Sequence, residues 1–250
     1  MNDVKDFLDE QVIRFNTQSF IKNDPVQFPR RYSKLQDIEI TAFVVATISW
    51  GKRSVILRNA EKLLVMWGDS PYDFIMNEDY RALGRANIHR TFFEHDLAYM
   101  LRGFRQIFIK YGSIENMLKA NEIELSIAPA WDFAGVLSAE MQQANDGQNN
   151  SKCYPSNYKH SALKRINMAL RWLVRDDGIV DLGIWKSINP SQLYIPLDVH
   201  AGNIARELGL LRRNSNDRHA VEELTSVLRQ FCPEDPIKYD FALFGTGVSR

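Results

Sequence analysis

Length, composition and charge restrict the classes of protein that this chain can belong to. It has 250 residues, 45% of them hydrophobic, which suffices for one large domain or for two helical lobes. No apolar run approaches the ~20 residues that are needed to cross a bilayer, so we expect no membrane-spanning segment. The 31 basic and 31 acidic residues balance to zero, which disfavours a strongly basic nucleic-acid binder unless charges are segregated by face.

Compartment and cofactors are indicated by what the sequence lacks. The N-terminal segment MNDVKDFLDEQVIRF has no basic stretch followed by an apolar one, so it is not typical of a signal peptide. Cys153 and Cys232 are too few for a disulfide framework or a four-cysteine metal site, and the five histidines show no zinc-binding spacing. We therefore expect a cytoplasmic protein with reduced thiols, no metal and no organic cofactor.

Helical periodicity dominates the N-terminal half. Residues 38–48 predict a buried helix, and residues 54–67 predict a second helix that the Gly-Asp-Ser-Pro sequence at 68–71 ends. Farther along, apolar residues recur at i, i+4, i+7 and i+11 on one helix face: Leu97, Leu101, Phe104 and Phe108. Asp96 precedes this stripe and is expected to cap the helix.

The C-terminal half shows the same periodicity. Two apolar stripes predict helices there, the first formed by Leu163, Ile166, Leu170 and Leu173, the second by Val221, Leu224, Leu228 and Phe231. Residues 192–197 are the only candidate strand, and Pro196 argues against a central one. The sequence therefore predicts an all-α fold.

A polar stretch near residue 150 predicts the main division of the chain. The sequence ANDGQNNSKCYPSN has the composition of a flexible loop. We expect one unit of two lobes, at approximately 30–145 and 156–250, with the N-terminal segment added and the loop near 145–156 joining them.

The segment YIPLDVHAGNIARELGL, residues 194–210, contains the first candidate site residue. Pro196 fixes the entry to an amphipathic helix, Asp198 stands at the N-cap position, and Gly209 suits the helix end. A capped helix without any function remains an alternative interpretation.

This segment resembles the aspartate-bearing segment of the helix-hairpin-helix DNA glycosylases. It is most similar to that of the 8-oxoguanine glycosylases, which also have a proline shortly before the aspartate. The resemblance implies a two-lobed all-α fold with a central cleft. It also implies that Asp198 activates the attacking amine or water, or stabilises positive charge that develops on the sugar.

Lys164 is the second candidate catalytic residue implied by this resemblance. Glycosylases that also nick DNA have a lysine on the helix after the hairpin, and Lys164 in HSALKRIN matches that position. A neutral amine can attack the anomeric carbon and form a Schiff base, and Arg165 and a nearby helix N-terminus would favour the neutral form. The alternative is a solvated lysine beside an apolar stripe.

The chain departs from the superfamily pattern in three ways. His160 and Ala162 stand where the hairpin usually has Gly-x-Gly, so the phosphate contact must differ. The insertion-like sequence DDGIVDLGIWKSINPSQ lengthens the interval between Lys164 and Asp198. There are also no cysteines for the iron–sulfur cluster of many members.

A closer resemblance covers nearly the whole chain. The segments DPVQFPRRY, QDIEITAFVVATISWGKR, HRTFFEHDL, KRINMALRWLVR, VDLGIW, IPLDVHAGNIAR and DPIKYDFALFGTG resemble a bacterial family that is known only as a domain of unknown function. This resemblance implies the glycosylase-like fold but no substrate.

Further candidate residues are those expected to contact DNA. Lys164, Arg171 and Arg175 share one helix face and suit phosphate contacts. The alternatives are an ordinary solvated face and pairing with Asp176, Asp177 and Asp181. In the sequence Ser-Trp-Gly-Lys-Arg, Trp50 could fill the gap left by a flipped base, whereas Lys52 and Arg53 could hold phosphates. The more common outcome for such a tryptophan is the protein core.

The remaining candidates would surround an extruded base. Trp185 and Tyr239 could stack on it, and Asp240 could bind its edge, although packing and helix capping are the alternatives. His160 and His200 are assigned to the DNA-binding set, with His200 expected to orient the loop at Asp198. His89 and His95 are expected to make structural hydrogen bonds.

These expectations combine into one hypothesis with two alternatives. The chain would be a monomeric DNA-repair glycosylase that excises a damaged base from duplex DNA, with an oxidised purine as a candidate, and nicks the abasic site. It would then be associated with the nucleoid. The alternatives are a non-catalytic DNA- or protein-binding module on the same scaffold and an RNA-processing enzyme.

Overall fold

The computed structural model describes residues 2–249, most of which are helical. The helices are α1 (Asn2–Phe15), α2 (Gln18–Ile21), α3 (Leu35–Thr47), α4 (Arg53–Trp67), α5 (Pro71–Met76), α6 (Glu94–Tyr111), α7 (Ile114–Ala120), α8 (Pro129–Gln143), α9 (Lys164–Val174), α10 (Val199–Glu207), α11 (Arg218–Phe231) and α12 (Tyr239–Val248). Short 3₁₀ helices cover Pro25–Gln27, Pro29–Arg31, Asp79–Ala82, Ile123–Leu125, Pro190–Gln192 and Pro236–Lys238. The predominantly helical fold agrees with the all-α prediction.

The chain forms two compact units. The split unit combines the N-terminal residues up to Lys22 with the residues from Lys159 onward, and the continuous unit is Asn23–Tyr158. The dividing point is thus at 158/159, and the polar stretch 145–156 belongs wholly to the continuous unit. The cleft expected between two lobes stays a prediction.

Two helices of the continuous unit lie where the sequence predicts them. Helix α3 is buried from Asp37 to Thr47, in agreement with its apolar composition. Helix α4 follows it and ends at Gly68, whose φ of 65° is a backbone conformation that favours glycine.

Helix α6 follows the predicted apolar stripe. Asp96 takes part in capping, since its Oδ2 accepts a hydrogen bond from the Phe93 amide at 2.8 Å, but it does so from the third helical position, and the N-cap residue is Phe93. Gly103 permits close packing against α8, because a Cβ at this position would lie 1.9 Å from Met141 Sδ.

The polar stretch near residue 150 is bound to the start of α6. Asn150 Nδ2 donates to Asp96 Oδ1 at 2.8 Å, and Cys153 Sγ donates to the Asp96 carbonyl at 3.3 Å. Tyr99 donates its hydroxyl to the Gln148 carbonyl at 2.9 Å. These contacts hold the polar stretch against α6 and explain why it belongs to the continuous unit.

The candidate strand at residues 192–197 does not form, in agreement with the argument from Pro196. Residues 192–197, all of them described, contain a 3₁₀ turn and extended chain without strand pairing. The two strands found within residues 2–249, β1 (Asn87–His89) and β2 (Phe92–Phe93), pair antiparallel as a short hairpin. They are too short for a period-2 pattern to be recognised in the sequence.

The split unit is organised around α12. Helix α1 packs against α12, where a Cβ on Gly245 would lie 2.3 Å from the ring of Phe15. The hydroxyl of Tyr239 donates to Asp9 Oδ1 at 3.0 Å, which joins the same two helices. Between Asn2 and Ser249, no helix is both long and apolar enough to span a bilayer.

Candidate functional site

Lys164 is the first residue of α9 and follows a strained turn. Leu163 precedes it as the N-cap with φ 50°, a left-handed conformation that costs energy for a bulky side chain. Asn167 holds this turn, since its backbone amide donates to the Leu163 carbonyl at 2.8 Å and its Nδ2 donates to the Ala162 carbonyl at 3.0 Å. The Lys164 side chain is half-buried, and its Nζ lies 3.7 Å from Met168 Sδ.

The same turn is joined to the segment before α11. Ser161 forms an isolated antiparallel bridge with Asp217. The Arg218 amide donates to the His160 carbonyl at 3.0 Å. The position of Lys164 therefore depends on residues more than 50 positions away in the chain.

Asp198 caps α10 as the sequence predicts. Its Oδ1 accepts a hydrogen bond from the Ala201 amide at 2.9 Å, and its backbone is extended. Gly209, with φ 70°, follows the end of the helix. The capping prediction is confirmed, and it accounts for one carboxylate oxygen only.

A second aspartate cap in the same unit provides an internal comparison. Asp217 caps α11 with the same backbone geometry, and its Oδ1 accepts from the Ala220 amide at 3.1 Å. Its Oδ2 also accepts from Arg213 and, at 2.8 Å, from the Ser215 hydroxyl. By contrast, Asp198 Oδ2 has no hydrogen bond or ion pair among residues 2–249, so one oxygen remains for a ligand.

Asn216 holds the backbone of Asp198. Its Nδ2 donates to the Asp198 carbonyl at 3.0 Å, and its Oδ1 accepts from Arg206 Nη2 at 2.6 Å. A Cβ on Gly202 would lie 2.9–3.2 Å from the side chains of Arg206 and Asn216, so the glycine provides the space for this contact. Asn216 thus links the cap of α10 to the segment that contacts the turn before Lys164.

Asp240, in the first turn of α12, is the third carboxylate of the site. It is 5% exposed and accepts a hydrogen bond from Arg171 Nη1. Burial raises the pKa of Asp240 to about 6; the charge of Arg171 opposes the rise, the charge of Asp198 adds to it, and the charge of Lys164 opposes it. Lys164 and Asp198 therefore both act electrostatically on this one buried carboxyl group.

Behind Asp240 lies a buried network of ion pairs. Arg171 Nε is 3.2 Å from Asp181 Oδ1, and Arg175 Nη1 is 2.9 Å from Asp181 Oδ2. Arg175 also pairs with Asp177 at 2.6 Å and with Asp235 at 2.8 Å. These carboxylates compensate the two guanidinium groups and fix the face of α9 that begins at Lys164.

This network corrects the prediction of a basic stripe. Arg171 and Arg175 are each 4% exposed, so neither side chain is available to a phosphate. The alternative prediction, pairing with nearby aspartates, describes these two arginines better. Asp176 is the exception, because it pairs with Lys186 at 2.8 Å. Burial decides the outcome, because buried guanidinium groups require compensating carboxylates.

The two aromatic residues expected at a base pocket lie in the core. Trp185 is 1% exposed and Tyr239 is fully buried. Tyr239 packs edge-to-face on Phe231 with ring centroids 6.0 Å apart. The stacking role predicted for these residues does not agree with their burial, whereas the packing alternative does.

The other predicted DNA contacts of the split unit are at least partly exposed. His160 is exposed, and Arg165 is half-buried in the first turn of α9. His200 is exposed, with its ring edge-to-face at 6.3 Å from that of Phe244, so it packs on α12 rather than orienting the loop at Asp198.

Trp50, Lys52 and Arg53 lie in the continuous unit, where the turn before α4 places them. Trp50 is half-buried against His89, with ring centroids 4.6 Å apart. His89 is fully buried and bonds to the Trp50 carbonyl at 2.8 Å, which confirms its structural role. Lys52 is exposed and Arg53 is half-buried.

The comparisons with known proteins identify one family. The family model described as a protein of unknown function (DUF2400) matches residues 24–249, which is most of the chain. The chain belongs to the DUF2400 family. No curated protein and no solved structure matches it.

Sequence reasoning missed two residues of the site in this DUF2400 protein. Asn216 lies in the polar loop RRNSNDRH, where an asparagine has no distinguishing pattern. Asn167 lies within a regular helix, and its Oδ1 is buried without a hydrogen-bond partner among residues 2–249. Across this described part of the chain, no group of three or more His, Cys, Asp or Glu residues could hold a metal ion.

Proposed function

We propose that this DUF2400 protein is a DNA glycosylase with abasic-site lyase activity, built on a helix-hairpin-helix glycosylase-like fold. Its substrate would be duplex DNA with a damaged base, and an oxidised purine is our first candidate. One observation carries the proposal: a single segment, Asn216 and Asp217, contacts both the cap that contains the carboxylate of Asp198 and the turn that precedes the amine of Lys164. The charges of these two groups also act on the pKa of the buried Asp240. Clusters of coupled titratable groups are typical of catalytic sites.

The proposed reaction assigns a different task to each group. The neutral amine of Lys164 attacks the anomeric carbon of the sugar, and the glycosidic electron pair leaves with the base, which takes up a proton. The carboxylate of Asp198 stabilises the positive charge that develops on the sugar. Loss of the amine proton and ring opening give a Schiff base, from which β-elimination breaks the strand.

The comparison of the two aspartate caps supports this assignment. A cap needs one carboxylate oxygen, and Asp217 uses its second oxygen for Arg213 and Ser215. Asp198 keeps its second oxygen without such a partner in the described residues. A carboxylate that is fixed by a helix N-terminus and still has one oxygen available suits charge stabilisation at a reaction centre.

Borohydride trapping of the Schiff base tests the proposal directly. Duplexes with 8-oxoguanine, uracil, hypoxanthine, an oxidised pyrimidine or an abasic site would be incubated with the wild type and with Lys164→Ala. The matched control is Lys159→Ala, which removes an exposed lysine five residues upstream. We expect an adduct with the wild type and Lys159→Ala, and none with Lys164→Ala.

Asp198→Asn separates catalysis from capping, because asparagine is also a good N-cap. We expect base release to fall at least a hundredfold in Asp198→Asn and to remain unchanged in Asp24→Asn, since Asp24 caps the 3₁₀ helix Pro25–Gln27 of the continuous unit. A folded wild type that leaves every duplex intact and forms no adduct would contradict the proposal. If the same protein still bound DNA, the non-catalytic module would be the better description.

A further inference from the structure

A short hairpin and the turn before α4 form one surface in the continuous unit. The buried ring of His89 joins them, since it bonds to the Trp50 carbonyl at 2.8 Å and to Asn59 Nδ2 at 3.0 Å. Trp50 packs edge-to-face on the same ring. The residue after His89, Arg90, is therefore held next to the turn at Gly51.

Arg90 lies directly over Gly51. The φ of Gly51 is +95°, a backbone conformation that favours glycine, and a Cβ at this position would be 2.5 Å from Nη1 at the flexible end of the Arg90 side chain. Arg90 itself has φ 51°, an uncommon conformation for a residue other than glycine. Backbone strain of this kind is concentrated at functional sites.

The charges on this surface violate a local rule. Lys52 is the N-cap of α4 and Arg53 is its first residue, with no acidic residue in the first turn. Helix N-termini favour negative charge, so cations there are unfavourable unless an anion is bound.

No carboxylate neutralises the exposed cations of this surface. Within the part of the chain that the structure describes, neither Lys52 nor Arg90 has a side-chain hydrogen bond or ion pair. Two glutamates close to them in sequence are engaged elsewhere: Glu94 accepts from the Gly84 amide at 2.8 Å, and Glu61 pairs with Arg31 at 2.8 Å. The zero net charge of the chain thus conceals a local positive excess.

We propose that Lys52, Arg53 and Arg90, the phosphate surface, bind the phosphate backbone of duplex DNA. The planar guanidinium of Arg90 can donate two hydrogen bonds to one phosphate, and Lys52 adds a mobile charge. The phosphate surface shares its partner with the proposed function but requires no chemistry at Lys164. Arg90 is the residue of this surface that the sequence did not predict. Its left-handed backbone conformation in the hairpin places its side chain beside the turn at Gly51.

Salt dependence of DNA binding measures this contact. We would record fluorescence anisotropy of an undamaged 20-base-pair duplex between about 30 and 200 mM salt, for the wild type, Arg90→Ala and Lys52→Ala. The logarithm of the association constant K decreases linearly with the logarithm of the salt concentration. The magnitude of this slope falls by about 0.9 for each phosphate contact that is lost. We expect this decrease for each variant, with an affinity five- to tenfold lower at about 100 mM salt.

Three further variants sharpen the test. Lys62→Ala, on the exposed side of α4, and Arg81→Ala, whose side chain pairs with Glu78, should keep the wild-type slope. Gly51→Ala leaves the number of charges unchanged but strains the turn that holds Lys52 beside Arg90, because the φ of Gly51 is +95°, so the slope should fall for this variant as well. Thermal denaturation checks that each variant is folded.

Failure of the phosphate surface is distinguishable from failure of the proposed enzyme. A wild type that does not bind the duplex at low salt, or Arg90→Ala and Lys52→Ala variants with the wild-type slope, would overturn the inference. Tighter binding to single-stranded RNA of equal length would overturn duplex DNA as the partner. If the slope falls as expected while no duplex is trapped or cleaved, the surface stands and the glycosylase proposal falls.

Discussion

The Asn216 side chain donates a hydrogen bond to the Asp198 carbonyl at 3.0 Å and accepts one from Arg206 at 2.6 Å. The next residue, Asp217, bridges to Ser161 in the turn before Lys164. One short segment therefore contacts both the cap that contains Asp198 and the turn that positions Lys164. We interpret Asn216 as a positioning residue, because it acts through the backbone of Asp198.

Replacement of Asn216 by alanine should impair the reaction without impairing binding. Small displacements of reacting groups are costly, so we expect adduct formation to slow at least tenfold while the dissociation constant for the duplex stays unchanged. Loss of the hydrogen bond should cost about 1 kcal/mol of stability. Asn214→Ala, at an exposed position in the same loop, is the matched control. Equal kinetics for the two variants would exclude a positioning role.

The raised pKa of Asp240 predicts a pH dependence of stability. Burial raises this pKa to about 6 from an ordinary value of 3.8, so the folded state binds the proton more tightly than the unfolded state does. The stabilisation from this protonation is complete below pH 3.8 and is lost as the pH rises through about 6. Relative to Asp240→Asn, the wild type should therefore lose about 3 kcal/mol between those limits.

Chemical denaturation of the wild type and Asp240→Asn at several pH values checks this expectation. Only the difference between the two free energies of unfolding matters, because other groups titrate in both proteins. A pH-independent difference between the wild type and Asp240→Asn would show that Asp240 has an ordinary pKa.

The burial of Arg171 predicts a structural role for it. Arg171→Met keeps much of the side-chain volume but leaves Asp240 and Asp181 with less positive charge in the core. Breaking a buried pair on one side costs about 3–5 kcal/mol, so we expect a loss of stability in that range. Arg58→Met, at an exposed position of α4, should change stability by less than about 0.5 kcal/mol.

DNA binding distinguishes this role from the phosphate contact that the sequence suggested. If Arg171 is only structural, Arg171→Met should keep the wild-type slope of log K against log salt at temperatures where it is folded. A slope smaller in magnitude by about 0.9, the value for one phosphate contact, would show that Arg171 contacts DNA.

The sequence by itself predicted six of the helices, whereas α1 and α8, with 14 and 15 residues, were not predicted. Apolar residues at helical spacing predicted α3, α4, α6, α9 and α11, and Asp198 and Gly209 marked the start and the end of α10. These features depend on residues within a few positions of each other, so the local sequence contains the information. The sequence did not predict the hairpin at Arg90, because its strands are too short to show the two-residue alternation of a β-strand.

Only the tertiary structure decided the state of the charged groups. Arg171 pairs with Asp240, 69 positions away, and Arg175 pairs with Asp235, 60 positions away. Helical spacing places Lys164, Arg171 and Arg175 on one face but does not tell whether that face meets solvent or carboxylates. The path of the chain brings the aspartates of α12 and its preceding turn to this face, and their burial beside it converts a predicted DNA contact into a structural network.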